Sequence, residues 1–267
     1  MSDEFTIKES YQMDDLVKLV RRLRSENGCP WDREQDHHSI RKNFLEETYE
    51  VLEAIDTEDT DLLKEELGDV LLQVVFHAQM ETEKDSFDFD SVCDGICKKL
   101  VQRHPHVFGN TEVSGTGEVL TNWDKIKEKS KGQTTYTETL RSVPSVLPAL
   151  MRSEKVQHRA AKSGFDYPKT EDAFKDLLSE VKELQEAIAE KDHSHMEEEM
   201  GDLLFAAVNV SRFLDVDPEQ SLSKACEKFI SRFEQVEHLA QERGISMKEQ
   251  PLSELDKLWK EAKEKQK

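Results

Sequence analysis

Eight carboxylates in two sets of four carry the chemistry legible in this chain of 267 residues. Glu47 and Glu50 stand three residues apart, and Glu66 and Asp69 repeat that spacing sixteen residues after Glu50. Glu180, Glu183, Glu199 and Asp202 reproduce the set at a constant offset of 133. Residues three apart share a helix face, so two such pairs on neighbouring antiparallel helices converge on one point. Four carboxylates cannot all stay charged and close without a cation, and hard oxygen donors select Mg²⁺, with Mn²⁺ as substitute. Mg²⁺ also takes phosphate oxygens as ligands. The expectation is therefore a phosphate site, in which metal-assisted attack of water cleaves a phosphate ester or anhydride, with Glu50 and Glu183 as candidate catalytic residues. Lys99 with Arg103, and Lys228 with Arg232, stand one helical turn apart and offer positive charge to phosphate. Trp123 and Trp259 offer rings on which a base could stack.

A single Glu-x-x-Glu would mean little in a chain with 57 acidic residues, because such pairs usually decorate a solvated helix face. Lys–Arg pairs one turn apart are also common surface features, and tryptophans are more often core. The duplication shifts the balance toward metal binding, although a duplicated structural bundle could keep such residues as caps or ion pairs. Leu45 to Ile55 aligns with Leu178 to Ile188, and Glu65 to Leu71 with Glu198 to Leu204, both at offset 133. Lys99 and Arg103 match Lys228 and Arg232 at offset 129. Upstream, Trp31-Asp32 and Phe165-Asp166 each put an aromatic–Asp pair before the acidic helix.

These carboxylates need rigid helices to hold them. Phe44, Leu45, Thr48, Tyr49, Val51, Leu52 and Ile55 fall on one arc of a helical wheel, expected to pack, with Glu46, Glu50 and Glu53 opposite. The next helix, about Leu62 to Met80, is apolar nearly all round and is expected to be largely buried, so Glu66 and Asp69 on its narrow polar stripe must face a gap. The short links Asp56 to Asp61 and Glu190 to His195 return the chain antiparallel. Scarce Gly (10) and Pro (7) beside 35% charged residues favour an all-α fold. Gly109 to Gly117 and Lys129 to Thr139 read as loop and linker, which divides the chain into two tandem helical bundle domains, residues 1–133 and 140–267.

A formal charge of -20 argues against nucleic acid and anionic membranes as partners. No apolar stretch approaches the roughly 20 residues needed to cross a bilayer, and Met-Ser-Asp-Glu-Phe at the N-terminus lacks a signal pattern. With four cysteines too few for a disulfide framework, the expected location is the cytoplasm. The histidines, among them His37-His38, His104, His106, His193 and His195, have no zinc-ligand spacing and read as loop or cap residues. No Gly-rich phosphate loop or dinucleotide fingerprint is present. A nucleotide sensor that holds Mg²⁺-triphosphate without cleaving it, and a purely structural interaction bundle, are the other readings the motifs allow.

The acidic motifs, together with Cys29-Pro30-Trp31-Asp32, Arg103 to Phe108 and Lys224 to Glu237, resemble the MazG nucleoside triphosphate pyrophosphohydrolases over nearly the whole chain. The resemblance implies an all-α bundle in each half, a homodimer, and Mg²⁺-dependent cleavage of many nucleoside triphosphates between the α and β phosphates, as nucleotide-pool housekeeping or a stress response. It implies metal ligands at Glu47, Glu50, Glu66 and Asp69 and at Glu180, Glu183, Glu199 and Asp202, with Lys228, Arg232 and Trp259 as substrate contacts. One departure stands out: the doubled Glu46-Glu47 becomes Ser179-Glu180 in the second copy. The fuller motif thus lies in the first copy, whereas the family's two-copy members tend to work through the second.

Overall fold

The computed structural model describes residues 5–130 and 132–265. Met1 to Glu4, where the signal pattern was sought, and Lys131, inside the expected linker, lie outside the described residues. The chain divides into two compact units, Met1–Lys127 and Glu128–Lys267. Among the described residues every regular element is helical. The first unit runs α1 (Met13–Arg24), α2 (Pro30–Glu34), α3 (Arg41–Asp56), α4 (Thr60–Thr82), α5 (Phe89–Arg103), α6 (Pro105–Phe108) and most of α7 (Thr116–Ser130). The second runs α8 (Tyr136–Arg141), α9 (Ala149–Lys162), α10 (Thr170–Glu190), α11 (His193–Phe213), α12 (Pro218–Glu242), a 3₁₀ turn at Met247–Glu249 and α13 (Leu252–Lys265).

The two acidic hairpins, α3 with α4 and α10 with α11, turn by one device. Glu58 and Lys191, offset by 133, adopt left-handed backbone with φ of 56° and 62°. The next residues, Asp59 and Asp192, cap the following helices: Asp59 accepts from the N–H groups of Asp61 and Leu62, Asp192 from those of Ser194 and His195. A side chain at positive φ costs about 1–2 kcal/mol, and an Asp cap offsets about 1 kcal/mol of that. The helix that follows each hairpin repeats the pattern at the smaller offset of 129, with Asp88 capping α5 through Ser91 N–H and Asp217 capping α12 through Gln220 N–H.

In the first unit the core sits between α1 and the C-terminal half of α4, where Val20, Val75, Phe76 and Met80 close over Ile40. Each such buried side chain contributes about 1.5–3 kcal/mol. Arg24 is buried at its edge: its guanidinium lies over the Phe76 ring, pairs with Glu83 through two 2.8 Å bonds, and donates to the carbonyls of Asp32 and Gln35. In the second unit Val236, Leu239 and Ala240 of α12 pack on Leu258 and Ala262 of α13.

Three expectations are corrected. Most of the apolar arc of α3 stays open among the described residues: Leu45, Tyr49, Leu52 and Ile55 are about half exposed, only Ala54 of that helix is buried, and Phe44 meets the His77 ring edge-on. The N-terminal half of α4 is likewise open, with Leu67 exposed, and burial becomes continuous only near Val75. Hydrophobic periodicity shows which face wants cover, not whether the same chain supplies it. The expected linker is also shorter, because α7 runs to Ser130 and α8 begins at Tyr136. There Thr135 and Glu138 form a capping box, a use of Thr and Glu that loop-like composition hides.

Candidate functional site

Each hairpin brings three of its four carboxylates together. Glu47 of α3 meets Glu66 and Asp69 of α4, and Glu180 of α10 meets Glu199 and Asp202 of α11, in each case with one oxygen per residue within 4.8 Å of the others. Glu66 and Glu199 are buried. Burial and the neighbouring carboxylates, Asp69 and Glu50 for Glu47, push the Glu47 carboxyl above its ordinary range. Burial with Glu50 and Asp69 does the same to Glu66, and burial with Glu183, Asp176, Asp202 and Glu199 does so to Glu180. Glu199 Oε2 is buried with no hydrogen-bond partner. An oxygen-only donor set, held close at a cost and leaving a buried oxygen unsatisfied, fits a hard divalent cation.

The fourth carboxylate separates the copies. Glu50 lies close enough to Glu47 and Glu66 to help raise both of their carboxyls. Its counterpart Glu183 accepts instead from the Ser179 hydroxyl at 3.0 Å. Ser179 replaces Glu46, which pairs with Lys42 at 2.9 Å and is not among the three clustered carboxylates of the first copy. The second copy also adds a histidine. His195 Nε2 lies 3.0 Å from Glu199 Oε1, with Nδ1 3.3 Å from Glu190, and the Glu190 contact raises its pKa. Leu62 stands at the matching place in the first copy. His195 is thus no mere cap, and His37 no mere loop residue: His37 bridges His77 at 2.7 Å and Glu81 at 2.6 Å.

Beside the second cluster opens a cavity of about 500 Å³. Glu180 and Asp202 stand on its wall with Phe165, Tyr167 and Phe205, and Gln157 of α9, Asp176 of α10, and Asn209 and Arg212 of α11 also line it. Sequence reading found Phe165 only as half of an aromatic–Asp pair and missed Gln157, Tyr167 and Asn209, which belong to no motif. The predicted substrate contacts lie elsewhere. Lys228, Arg232 and Trp259 sit on α12 and α13 and do not line this cavity, and Trp259 packs on Phe229 at 5.0 Å beside the core of those helices. Arg103 already covers Trp123, its guanidinium 5.2 Å from the ring centre, with His104 edge-on to the same ring, while Lys99 is exposed on α5.

The model of the MazG nucleotide pyrophosphohydrolase domain matches the chain twice, over residues 35–108 and 169–237. The chain belongs to the MazG family. It is 43% identical over 250 residues to the nucleoside triphosphate pyrophosphohydrolase/pyrophosphatase MazG of Thermotoga maritima, covering 94% of this chain and 95% of that one. It is 44% identical over 257 residues to the nucleoside triphosphate pyrophosphohydrolase of Escherichia coli, covering 94% and 97%. The uncharacterized protein YabN of Bacillus subtilis is 46% identical over 95% of this chain and 52% of its own length. The two MazG matches contain all eight carboxylates and both Lys–Arg pairs, whereas Trp123, Trp259, Gln157 and Phe165 fall outside them.

Proposed function

We propose that this chain hydrolyses nucleoside triphosphates between the α and β phosphates, releasing a nucleoside monophosphate and pyrophosphate, with Mg²⁺ bound by the carboxylate clusters and Mn²⁺ able to replace it. The observation that carries this reading is the second cluster set against the 500 Å³ cavity, a charged end for phosphates beside an aromatic pocket of a size for a nucleoside. Glu180, Glu183, Glu199 and Asp202 hold the cation, as Glu47, Glu50, Glu66 and Asp69 would in the first unit. A divalent ion in such a site supplies charge neutralisation and an activated water.

The side chains do the rest. Ser179 orients Glu183 to take the proton of the attacking water while the phosphoanhydride P–O bond breaks and pyrophosphate leaves with the bridging oxygen. Phe165, Tyr167 and Phe205 exclude water from the nucleoside. Lys228 and Arg232, and in the first unit Lys99 and Arg103, serve phosphate only where substrate reaches over from the carboxylates. Trp259 and Trp123 are assigned to packing and to the Arg103 contact ahead of base stacking. No helix among the described residues is long and apolar enough to cross a membrane, and the proposed place of action is the cytoplasm, where nucleoside triphosphates are made and used.

The exposed apolar faces of both hairpins support a homodimer, because a face that recurs in both units can be covered by the same face of a second copy. Asp69→Asn and Asp202→Asn variants, assayed separately for pyrophosphate release with Mg²⁺, test the site. Asp202→Asn should lower the rate about a hundredfold or more, and Asp69→Asn should lower it far less. Full activity in both would refute the site assignment.

A further inference from the structure

The loop between α9 and α10, residues 163–169, supplies a stretch of the cavity wall, with Gly164, Phe165, Asp166 and Tyr167 all lining it. It leaves α9 through main-chain bonds, from Gly164 N–H to the Ala161 carbonyl at 2.9 Å and from Phe165 N–H to that of Ala160 at 3.2 Å. It turns at Gly164 with φ of 88°, a backbone that favours glycine. Phe165 is 83% exposed although it lines the cavity, so its ring has apolar surface left to bury against an occupant. Toward α10, Tyr167 stands close enough to Asp176 that burial and this carboxylate together raise its phenol. Toward α11, the loop is tied by Asp166. Its carboxylate accepts from Arg212 Nη2 at 2.5 Å and Nη1 at 3.0 Å, and Oδ1 also accepts from the Tyr167 N–H at 2.9 Å. Arg212 is braced in turn: Nε and Nη2 donate to Asn209 Oδ1 at 3.2 and 2.8 Å, and the guanidinium lies 4.6 Å from the Phe213 ring centre. These bonds occupy most of its N–H donors, and Asp166 matches its charge. Arg212, the one cation among the described lining residues, is therefore engaged by the loop rather than free for phosphate. At the matching place the first unit carries Gln79, which bonds Glu83 at 3.1 Å, and its aromatic–Asp loop is held by Arg24 through main-chain carbonyls instead.

We propose that Arg212 is a positioning residue for nucleotide binding: by gripping Asp166 it holds the loop on α11 so that Phe165 and Tyr167 stand against a bound nucleoside. It thereby sets affinity for the nucleotide rather than the rate of cleavage. The inference rests on the nucleoside triphosphate reading and deepens it by naming what holds the nucleoside side of the site in place. A bidentate guanidinium–carboxylate pair fixes distance and orientation together. This pair is partly enclosed, with 14% of the Arg212 side chain and 28% of Asp166 exposed, so water and salt screen it less than a surface pair. Asp202 stands on the same helix as Arg212, so the grip sets the aromatic side of the cavity in register with the carboxylate side. Without it the loop keeps its bonds to α9 and loses its hold on α11.

The test sets equilibrium binding of α,β-methylene-ATP with Mg²⁺, an analogue that cannot be cleaved between the α and β phosphates, beside steady-state pyrophosphate release from ATP. Arg212→Met keeps the aliphatic stem and removes the fork. Asp166→Asn keeps an acceptor for the Tyr167 N–H and removes the charge. Each should weaken analogue binding and raise KM by about tenfold while kcat changes by less than about threefold. Arg212→Lys, which keeps the charge and loses the bidentate grip, should fall between. Phe165→Ala should also weaken binding by about tenfold, and adding Arg212→Met to it should cost less than about threefold more, since the grip acts through the loop that carries that ring. Full multiplication of those two effects, or a fall in kcat with KM and analogue binding unchanged, would overturn the proposal. So would unchanged binding in Asp166→Asn beside a loss in Arg212→Met, the result expected if the guanidinium meets phosphate itself. Asp166→Asn and Phe165→Ala carry the test if Arg212→Met fails to fold. Analogue binding by a wild-type chain that releases no pyrophosphate from any nucleoside triphosphate would instead sink the hydrolase reading, and the binding comparison would still decide the role of Arg212.

Discussion

At the scale of the residue, the carboxylates of each hairpin are held closer than their charges favour. Glu47, Glu66 and Glu180 have pKa values above the ordinary 4.5, in each case because burial and neighbouring carboxylates disfavour the charged form. An acid raised in the folded state keeps its proton where the unfolded chain has lost it. Stability without metal therefore falls as pH rises from about 4.5 through the raised values. Thermal unfolding in EDTA should show this decline between mildly acidic and neutral pH. Mg²⁺ should reverse it at neutral pH by more than NaCl of equal ionic strength does, since bound metal takes the place of the protons. A midpoint in EDTA that rises across that range would contradict the strained-cluster account. Ser179 belongs to the same scale: Ser179→Ala should lower turnover by several-fold and weaken Mg²⁺ binding, since Ser179 orients Glu183, which holds the cation in the proposed site; kinetics and calorimetry measure the two effects, and an unchanged rate would remove Ser179 from that role.

At the scale of the element, the duplicated hairpin is specified by its turn. Glu58-Asp59 and Lys191-Asp192 place a left-handed residue and then a capping aspartate at the same offset. Asp59→Ala and Asp192→Ala should each destabilise by about 1 kcal/mol, measurable by urea unfolding. Glu58→Gly and Lys191→Gly should be neutral or stabilising, because glycine adopts positive φ without strain. Arg24 marks where the copies part. It seals the loop after α1 against α4 through Glu83 and the carbonyls of Asp32 and Gln35. Its guanidinium is buried while Glu83 is partly exposed, so Arg24→Met should cost about 2 kcal/mol. A loss below a few tenths would show that this clamp contributes little.

At the scale of the whole molecule, the open apolar faces and the net charge of -20 pull in opposite directions. Charge keeps copies apart at long range, whereas Leu52, Ile55 and Leu67 in one unit and Leu178, Ile188 and Leu204 in the other leave large side chains in water. Association should therefore tighten as salt screens the charge. Sedimentation at micromolar concentration should find a dimer, and Leu52→Lys combined with Leu204→Lys should shift it toward monomer. A wild-type monomer at every salt concentration would remove the homodimer from the proposal.

The sequence by itself determined the all-α class, the duplication and the carboxylates that converge, because helical periodicity and a repeated spacing are properties of neighbours along the chain. Membership of the MazG family followed from the same residues. Only the tertiary structure decided that Glu46 pairs with Lys42 outside the three-carboxylate cluster and that Ser179 bonds Glu183. Likewise, only the fold could show that His195 reaches Glu199 and that most of the arc of α3 stays uncovered. It alone brought α9 against α11, where Gln157 and Asn209 meet a cavity although neither belongs to a motif. Which face a helix turns inward is written locally, but which polar atom is left without a partner depends on what distant segments bring to it.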